Sequence, residues 1–213
     1  MTFRDRTEAG RQLAEALAPL KGRQDLLVLA LPRGGVPVAA EVARFLDAPL
    51  DLCFAHKIGA PNNPEFAIGS VTETGGFHVD EQATQALRVP FSYIREEAAI
   101  QQVEMARRAA FYRESRPPAP IAGKWVILID DGVATGATAH AALFGLRKQN
   151  PARLVFATPV AAADSIQRLA GDADELKILH APPGFGAVAE FYDRFPQVSD
   201  AEVVALLKSL RPA

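Results

Sequence analysis

The sequence predicts an α/β fold of three layers (α/β/α) around a mostly parallel central sheet, with a long insertion after the second strand. Three observations lead there. Short apolar runs alternate with stretches of helical periodicity along most of the chain. Two of those runs end in glycine-bearing turns, at 31–35 and 130–138. The alternation fails in one place only, residues 57–124.

Each element follows in order. Residues 3–20 place Leu13, Ala14 and Leu17 at helical spacing and read as an amphipathic helix. Residues 26–31 form an unbroken apolar run, a buried strand. Pro32-Arg33-Gly34-Gly35 then turns the chain into a helix through Val38, Val42 and Phe45. Residues 50–55 are the second strand, and 126–130, 153–160 and 175–180 supply three more, separated by helical stretches at 137–149 and 162–170. Such alternation predicts parallel strands with right-handed crossovers. The 57–124 insertion carries Gly, Pro and Asn punctuation at 59–64, a hairpin around Thr74-Gly75-Gly76 and a polar helix at about 92–113. Arg116-Pro117-Pro118-Ala119-Pro120 is a stiff connector back to the sheet.

A chain of 213 residues can bury a full core, and one domain with an insertion is expected over residues 1–213. The formal charge of −2 argues against a nucleic-acid partner or an anionic membrane surface. The N-terminal residues are charged and unlike a signal peptide, and no apolar run approaches the ~20 residues of a membrane span. The single cysteine, Cys53, excludes an internal disulfide and reads as a packed thiol in a reducing cytoplasm.

The most informative stretch is 125–138. The apolar run ends in Asp130 and Asp131, and a loop of Gly and Thr opens the next helix. Open α/β sheets bind ligands at the carboxyl ends of their strands. Successive N–H groups from Gly132 to Thr138, a helix start, and the Thr135 and Thr138 hydroxyls suit a phosphate. The two carboxylates would repel that phosphate and suit hydroxyl groups, a cation, or both. A monophosphate, a vicinal diol and Mg²⁺ together describe a phosphorylated ribose. The plainer reading, an acid-capped turn, leaves two carboxylates at a buried strand end unexplained. At the first strand's end, two glycines permit close approach to an anion, and Arg33 offers a fork-shaped donor.

Asp130-Asp131-Gly132-Val133-Ala134-Thr135-Gly136-Ala137-Thr138 resembles the signature of type I phosphoribosyltransferases that binds 5-phosphoribosyl 1-pyrophosphate (PRPP). The resemblance implies a Rossmann-like fold and transfer of 5-phosphoribosyl from PRPP to a nitrogenous acceptor, a nucleobase or related amine, with release of pyrophosphate. It implies Mg²⁺ as cofactor. Asp130 and Asp131 would be the catalytic pair, accepting from the ribose hydroxyls and facing Mg²⁺ directly or through water. Gly132, Val133, Ala134, Thr135, Gly136, Ala137 and Thr138 would hold the 5′-phosphate. Arg33, Gly34, Gly35 and Lys57 would bind pyrophosphate, with a non-proline cis peptide near Arg33-Gly34.

Relatives of this kind usually have Arg-Lys where this chain has His56-Lys57, so a residue mostly uncharged at neutral pH replaces a cation. The polar segment Ala60-Pro61-Asn62-Asn63-Pro64-Glu65 suits the base of a mobile lid. Arg107, Arg108, Arg113 and Arg116 could lend charge to a pyrophosphate from above, although for any one of them a solvated helix face is the plainer reading. A hood from about 181–198, with the N-terminal helix, would cover the acceptor, and Phe185 and Tyr192 are its candidate stacking residues. Phe3-Arg4-Asp5-Arg6, the 31–37 turn, Lys57-Ile58-Gly59-Ala60-Pro61, the 126–138 stretch and Tyr192-Asp193-Arg194-Phe195 together resemble a bacterial subgroup whose acceptor is unassigned. The implied partners are PRPP and a small-molecule acceptor, and a homodimer is admitted. The alternative is a non-catalytic PRPP- or nucleotide-sensing regulatory protein. A phosphatase with Asp130 as nucleophile is disfavoured because the loop already accounts for the phosphate.

Overall fold

A computed structural model of the chain describes residues 2–73 and 77–210. The central sheet has five parallel strands in the order β2-β1-β6-β7-β8. They are β1 (Leu26–Ala30), β2 (Leu50–Leu52), β6 (Trp125–Ile129), β7 (Arg153–Val160) and β8 (Glu175–His180). Alternate side chains enter two separate cores. Val28, Ala30, Ile127 and Ile129 face one, beneath α1 (Arg6–Ala16) and α2 (Gly35–Leu46). Leu27, Leu29, Val126 and Leu128 face the other, with residues of α5 (Ala137–Arg147) and α6 (Ala163–Leu169). Burial on both faces explains why β1 and β6 are unbroken apolar runs.

From β1 the chain proceeds outward to β2, whereas β6, β7 and β8 follow one another in the opposite direction. The carboxyl ends of β1 and β6 therefore flank the topological switch point, where a crevice opens. The turns at 31–35 and 130–138 both start there.

The insertion departs from its expected form. The second strand ends at Leu52, and Ala55 begins β3 (Ala55–Ala60) of a separate antiparallel sheet, ordered β3-β4-β5 with β4 (Asn63–Thr72) and β5 (Phe77–Val79). His56, Lys57, Ile58 and Gly59 thus pair with β4 rather than ending a parallel strand. The segment expected as a lid base is the tight connection between β3 and β4, followed directly by the first residues of β4. Thr74, Gly75 and Gly76 lie outside the described residues, though the strands on either side pair antiparallel. A short helix, α3 (Glu81–Ala86), precedes the long α4 (Phe91–Arg113). The last helix is α7 (Asp200–Ser209). Among the described residues, no helix is long and apolar enough to cross a membrane.

Arg113 anchors α4 to the core. Its Nε donates to Asp51 at 2.7 Å, Nη2 donates to the Leu52 carbonyl at 2.7 Å and to Glu73 at 3.0 Å, and Nη1 donates to the same Glu73 carboxylate. Asp51 also accepts from the Ala119 amide at 2.8 Å, which ties in the proline-rich connector. Burying this arginine is tolerated because its donors face two carboxylates and a carbonyl.

Candidate functional site

The site is built around the end of β6. Asp130 keeps a little surface exposure, but the protein around it removes most of its hydration. That burial, followed by the adjacent Asp131 carboxylate, holds the Asp130 carboxyl well above its usual range. Asp130 Oδ1 accepts the Asp131 amide at 2.9 Å. Asp131 is held differently: Arg6 Nε donates to its Oδ2 at 2.8 Å, and the Tyr192 hydroxyl donates to its carbonyl at 2.6 Å. One carboxylate is therefore neutralised by a fixed cation, and the other is poised to take a proton or a cation.

Residues 132–138 are stitched to β7 and α6. Val133 donates to the Val160 carbonyl and accepts from the Ala162 amide, both at 2.9 Å, and Ser165 Oγ donates to the Ala134 carbonyl. Among the described residues, the N–H groups of Ala134, Thr135, Gly136, Thr138 and Ala139 have no acceptor within the protein. Helix α5 has no side-chain N-cap, and the Thr135 and Thr138 side chains are exposed. A fixed loop with unpaired donors at a helix start suits an anion. Gly132 is required by close approach, because a Cβ there would sit 2.3 Å from Val188 Cγ1.

The β1–α2 turn faces this loop. A non-proline cis peptide is present at Pro32-Arg33, one bond earlier than the resemblance implied. Gly34 lies against Asp131, where a Cβ would come within 2.1 Å of Oδ2. Any side chain at position 34 would displace the carboxylate. Arg33 Nη1 lies 3.4 Å from Asp200, the first residue of α7, and Asp200 also accepts from the Tyr112 hydroxyl.

Between that turn and α4 lies a cleft of about 270 Å³. Arg33, His56, Arg108, Tyr112 and Thr138 are among its walls, so it extends to the 132–138 loop. Burial, followed by the Arg108 and Lys57 charges, lowers the His56 pKa below the usual imidazole value, and His56 is neutral at pH 7. Lys57 is the next residue along β3 and is not among those lining this cleft. Alternation along a strand turns neighbouring side chains to opposite faces. Cys53 also borders the cleft, but its thiol is buried and desolvation pushes it far above the reactive range, as expected of a packed cysteine.

The expected acceptor residues separate in role. The Phe185 ring is half-buried, 5.1 Å from the Phe191 ring. Tyr192 is buried between Phe3 at 5.6 Å and Phe195 at 4.9 Å, so it leaves no open face for a ligand to stack on and instead supports the Asp131 backbone. The N-terminal segment joins the 188–194 region through Phe3 to Phe191, Asp193 to Phe3 and Arg194 to Arg4 backbone hydrogen bonds. Arg6 completes this junction, donating to the Pro196 carbonyl at 2.7 Å with its guanidinium 3.7 Å from the Phe195 ring centroid. Sequence reasoning assigned Arg6 no role. Its one local signal is a charge on the same helical stripe as Ala9, Leu13 and Leu17.

Two carboxylates without a neighbouring imidazole or thiolate suit a hard oxygen-seeking cation such as Mg²⁺. Among the described residues, no cluster of three His, Cys, Asp or Glu side chains could hold a metal, so such an ion would need ligand oxygens to complete its coordination.

A family model described as a phosphoribosyl transferase domain matches residues 6–190. Two Mycobacterium tuberculosis proteins, from strains CDC 1551 / Oshkosh and ATCC 25618 / H37Rv, are each named "Putative phosphoribosyl transferase" and are 42% identical over 205 residues. The match covers 96% of this chain and 46% of theirs, so the chain spans about half the length of these curated relatives. Among solved structures, that of TT1426 from Thermus thermophilus is 46% identical, covers 100% of both chains and superposes with a TM-score of 0.89.

Proposed function

The chain belongs to the phosphoribosyl transferase family, and from that premise we propose that it transfers the 5-phosphoribosyl group of PRPP to a nitrogenous acceptor with release of pyrophosphate. The C1–O bond to pyrophosphate breaks, a bond from C1 to the acceptor nitrogen forms, and the acceptor gives up a proton. The observation that carries this reading is the succession, at the switch point, of a desolvated carboxylate pair and a fixed loop with five unpaired N–H groups.

In this reading the 132–138 backbone and the Thr135 and Thr138 hydroxyls hold the 5′-phosphate. Asp130, once ionised, accepts from a ribose hydroxyl and offsets positive charge developing at C1. Asp131 contributes its remaining oxygen while Arg6 fixes its position. Arg33 and the 33–35 backbone receive the departing pyrophosphate. When bound, Mg²⁺ would neutralise charge on the leaving group. Positioning and charge do most of the work, since little covalent chemistry is asked of the protein. Phe185 remains the candidate contact for the acceptor, and the acceptor itself is a nucleobase or related amine.

Calorimetry of Mg²⁺-PRPP binding, on the unaltered protein and an Asp130→Asn/Asp131→Asn variant, tests the reading. Binding that the variant loses, with pyrophosphate release when an acceptor is added, is the expected result. Absence of binding to the unaltered protein at millimolar PRPP would overturn it. The neutral His56 favours one competing reading, a PRPP-sensing regulator. Tight binding without pyrophosphate release from any nucleobase or amine would establish that alternative instead.

A further inference from the structure

Pyrophosphate is a polyanion, yet the described residues lining the cleft beside the β1–α2 turn offer it little fixed positive charge from the expected positions. Arg33 is there, paired with Asp200, while His56 is neutral and Lys57 is not part of the wall. The other arginine lining this cleft comes from the insertion, on α4. A second space of about 210 Å³ adjoins it, with Arg33, Arg107 and Arg108 on its walls.

We propose that Arg108 is a pyrophosphate-binding residue, which leaves Glu104 for the phosphate oxygens when PRPP occupies the cleft and replaces the cation missing at position 56. This rests on the phosphoribosyl reading above. The ion pairs of α4 make the exchange easy. Arg108 reaches Glu104 through Nε alone, at 2.7 Å, and among the described residues its two terminal nitrogens have no acceptor. Glu104 is held independently by Arg107, whose Nε and Nη2 both donate to it at 2.8 Å. Departure of Arg108 therefore leaves Glu104 paired. The Arg108 side chain is 57% exposed, so its bond to Glu104 is a weak, screened surface pair. A pyrophosphate carries more negative charge than the Glu104 carboxylate and offers the guanidinium fork several oxygens at once, so it is the stronger acceptor. The Arg113 anchor, five residues further along α4, fixes the helix from which Arg108 projects.

The test is calorimetry with three probes, Mg²⁺-PRPP, Mg²⁺-pyrophosphate and ribose 5-phosphate, on the unaltered protein and on Arg108→Gln, Arg107→Gln and Glu104→Gln. Arg108→Gln should weaken PRPP and pyrophosphate binding by about tenfold or more, the effect of losing one charged hydrogen bond. Ribose 5-phosphate, which lacks the leaving group, should bind as before. Glu104→Gln should tighten PRPP binding by releasing Arg108, and Arg107→Gln should have the smaller effect of the two arginine variants. In the ligand-free protein, the His56 ring should titrate at higher pH in Arg108→Gln, because a neighbouring positive charge is gone. Equal PRPP affinity in Arg108→Gln and the unaltered protein would overturn the assignment of Arg108 alone. An equal loss for ribose 5-phosphate would also overturn it, by showing a general disturbance of the site. Failure of the unaltered protein to bind PRPP would overturn the phosphoribosyl reading and this assignment with it.

Discussion

Arg6 and Asp131, 125 positions apart in the chain, form an ion pair of 2.8 Å with side chains only 10% and 13% exposed. The first residue of α1 thus neutralises the second carboxylate of the signature, and through Pro196 and Phe195 it also binds the region expected to form the hood. This arrangement makes the N-terminal segment part of the site.

Replacing Arg6 with Met should therefore destabilise the protein by about 3 kcal/mol, because it leaves a poorly hydrated carboxylate without its counter-charge. Urea denaturation measures this directly. PRPP binding should weaken as well, since two adjacent carboxylates would then lack a fixed cation.

Asp130 should give the ligand-free, metal-free protein a characteristic pH dependence. Its folded-state pKa is raised, so the folded protein retains a proton that the unfolded chain has lost. The stability associated with that proton is complete below the unfolded pKa of about 4 and is lost as pH rises through the raised folded value. Asp130→Asn removes the ionisation, so its stability relative to the unaltered protein should improve steadily as pH rises from about 4, the unfolded value, through the raised folded one. Turnover should change in the opposite sense, falling about a hundredfold for a loss of about 3 kcal/mol in transition-state stabilisation. Denaturation curves across that range, and rates at saturating PRPP, check the two signs.

Gly132 and Val188 should show strong coupling. A methyl group at position 132 would overlap Val188 Cγ1 at 2.3 Å, so Gly132→Ala should cost about 1–3 kcal/mol. Val188→Ala opens the required space, and the double variant should recover most of that loss in a double-mutant cycle. Additive losses would show that Val188 is not what rejects the side chain, and would point to Val160, whose Cγ1 lies 3.1 Å from the same position.

Arg113→Met should destabilise by about 3–5 kcal/mol, since it abandons both the Asp51 and Glu73 carboxylates in a buried setting. Because the same anchor holds α4 over the cleft, PRPP affinity should fall in the folded fraction of this variant. Calorimetry at a temperature well below its melting midpoint separates that effect from unfolding.

Much of the fold is legible in the residues. The strands expected at 153–160 and 175–180 are β7 and β8 without change, and 126–130 differs from β6 by one residue at each end. The β6 and β7 runs are buried on both faces, and such burial writes itself into composition, whereas the edge strand β8 is only partly buried and is read from its place after a helical stretch. Helix α4 lies within about a residue of its expected span, and Asp130 through Thr138 lie together because they are contiguous. The insertion is harder to read. Ala55 to Ala60 contains no run of β-branched residues, and its strand character depends on pairing with β4, so local pattern places His56 and Lys57 at the end of a parallel strand instead. Tyr192 has the character of a stacking residue in sequence, although its hydroxyl supports Asp131 from within the core.

The sequence by itself determined the strand and helix order of the central sheet, the two turns at the switch point, and the carboxylate pair followed by its loop of Gly and Thr. Periodicity and turn chemistry act over a few residues, and a few residues suffice to display them. Only the tertiary structure decided that Arg6 meets Asp131, that Gly34 must make room for that carboxylate, and that Arg108 faces Arg33 and His56 across one cleft. Those pairings join distant segments through packing and charge, and no local spacing in the chain encodes them.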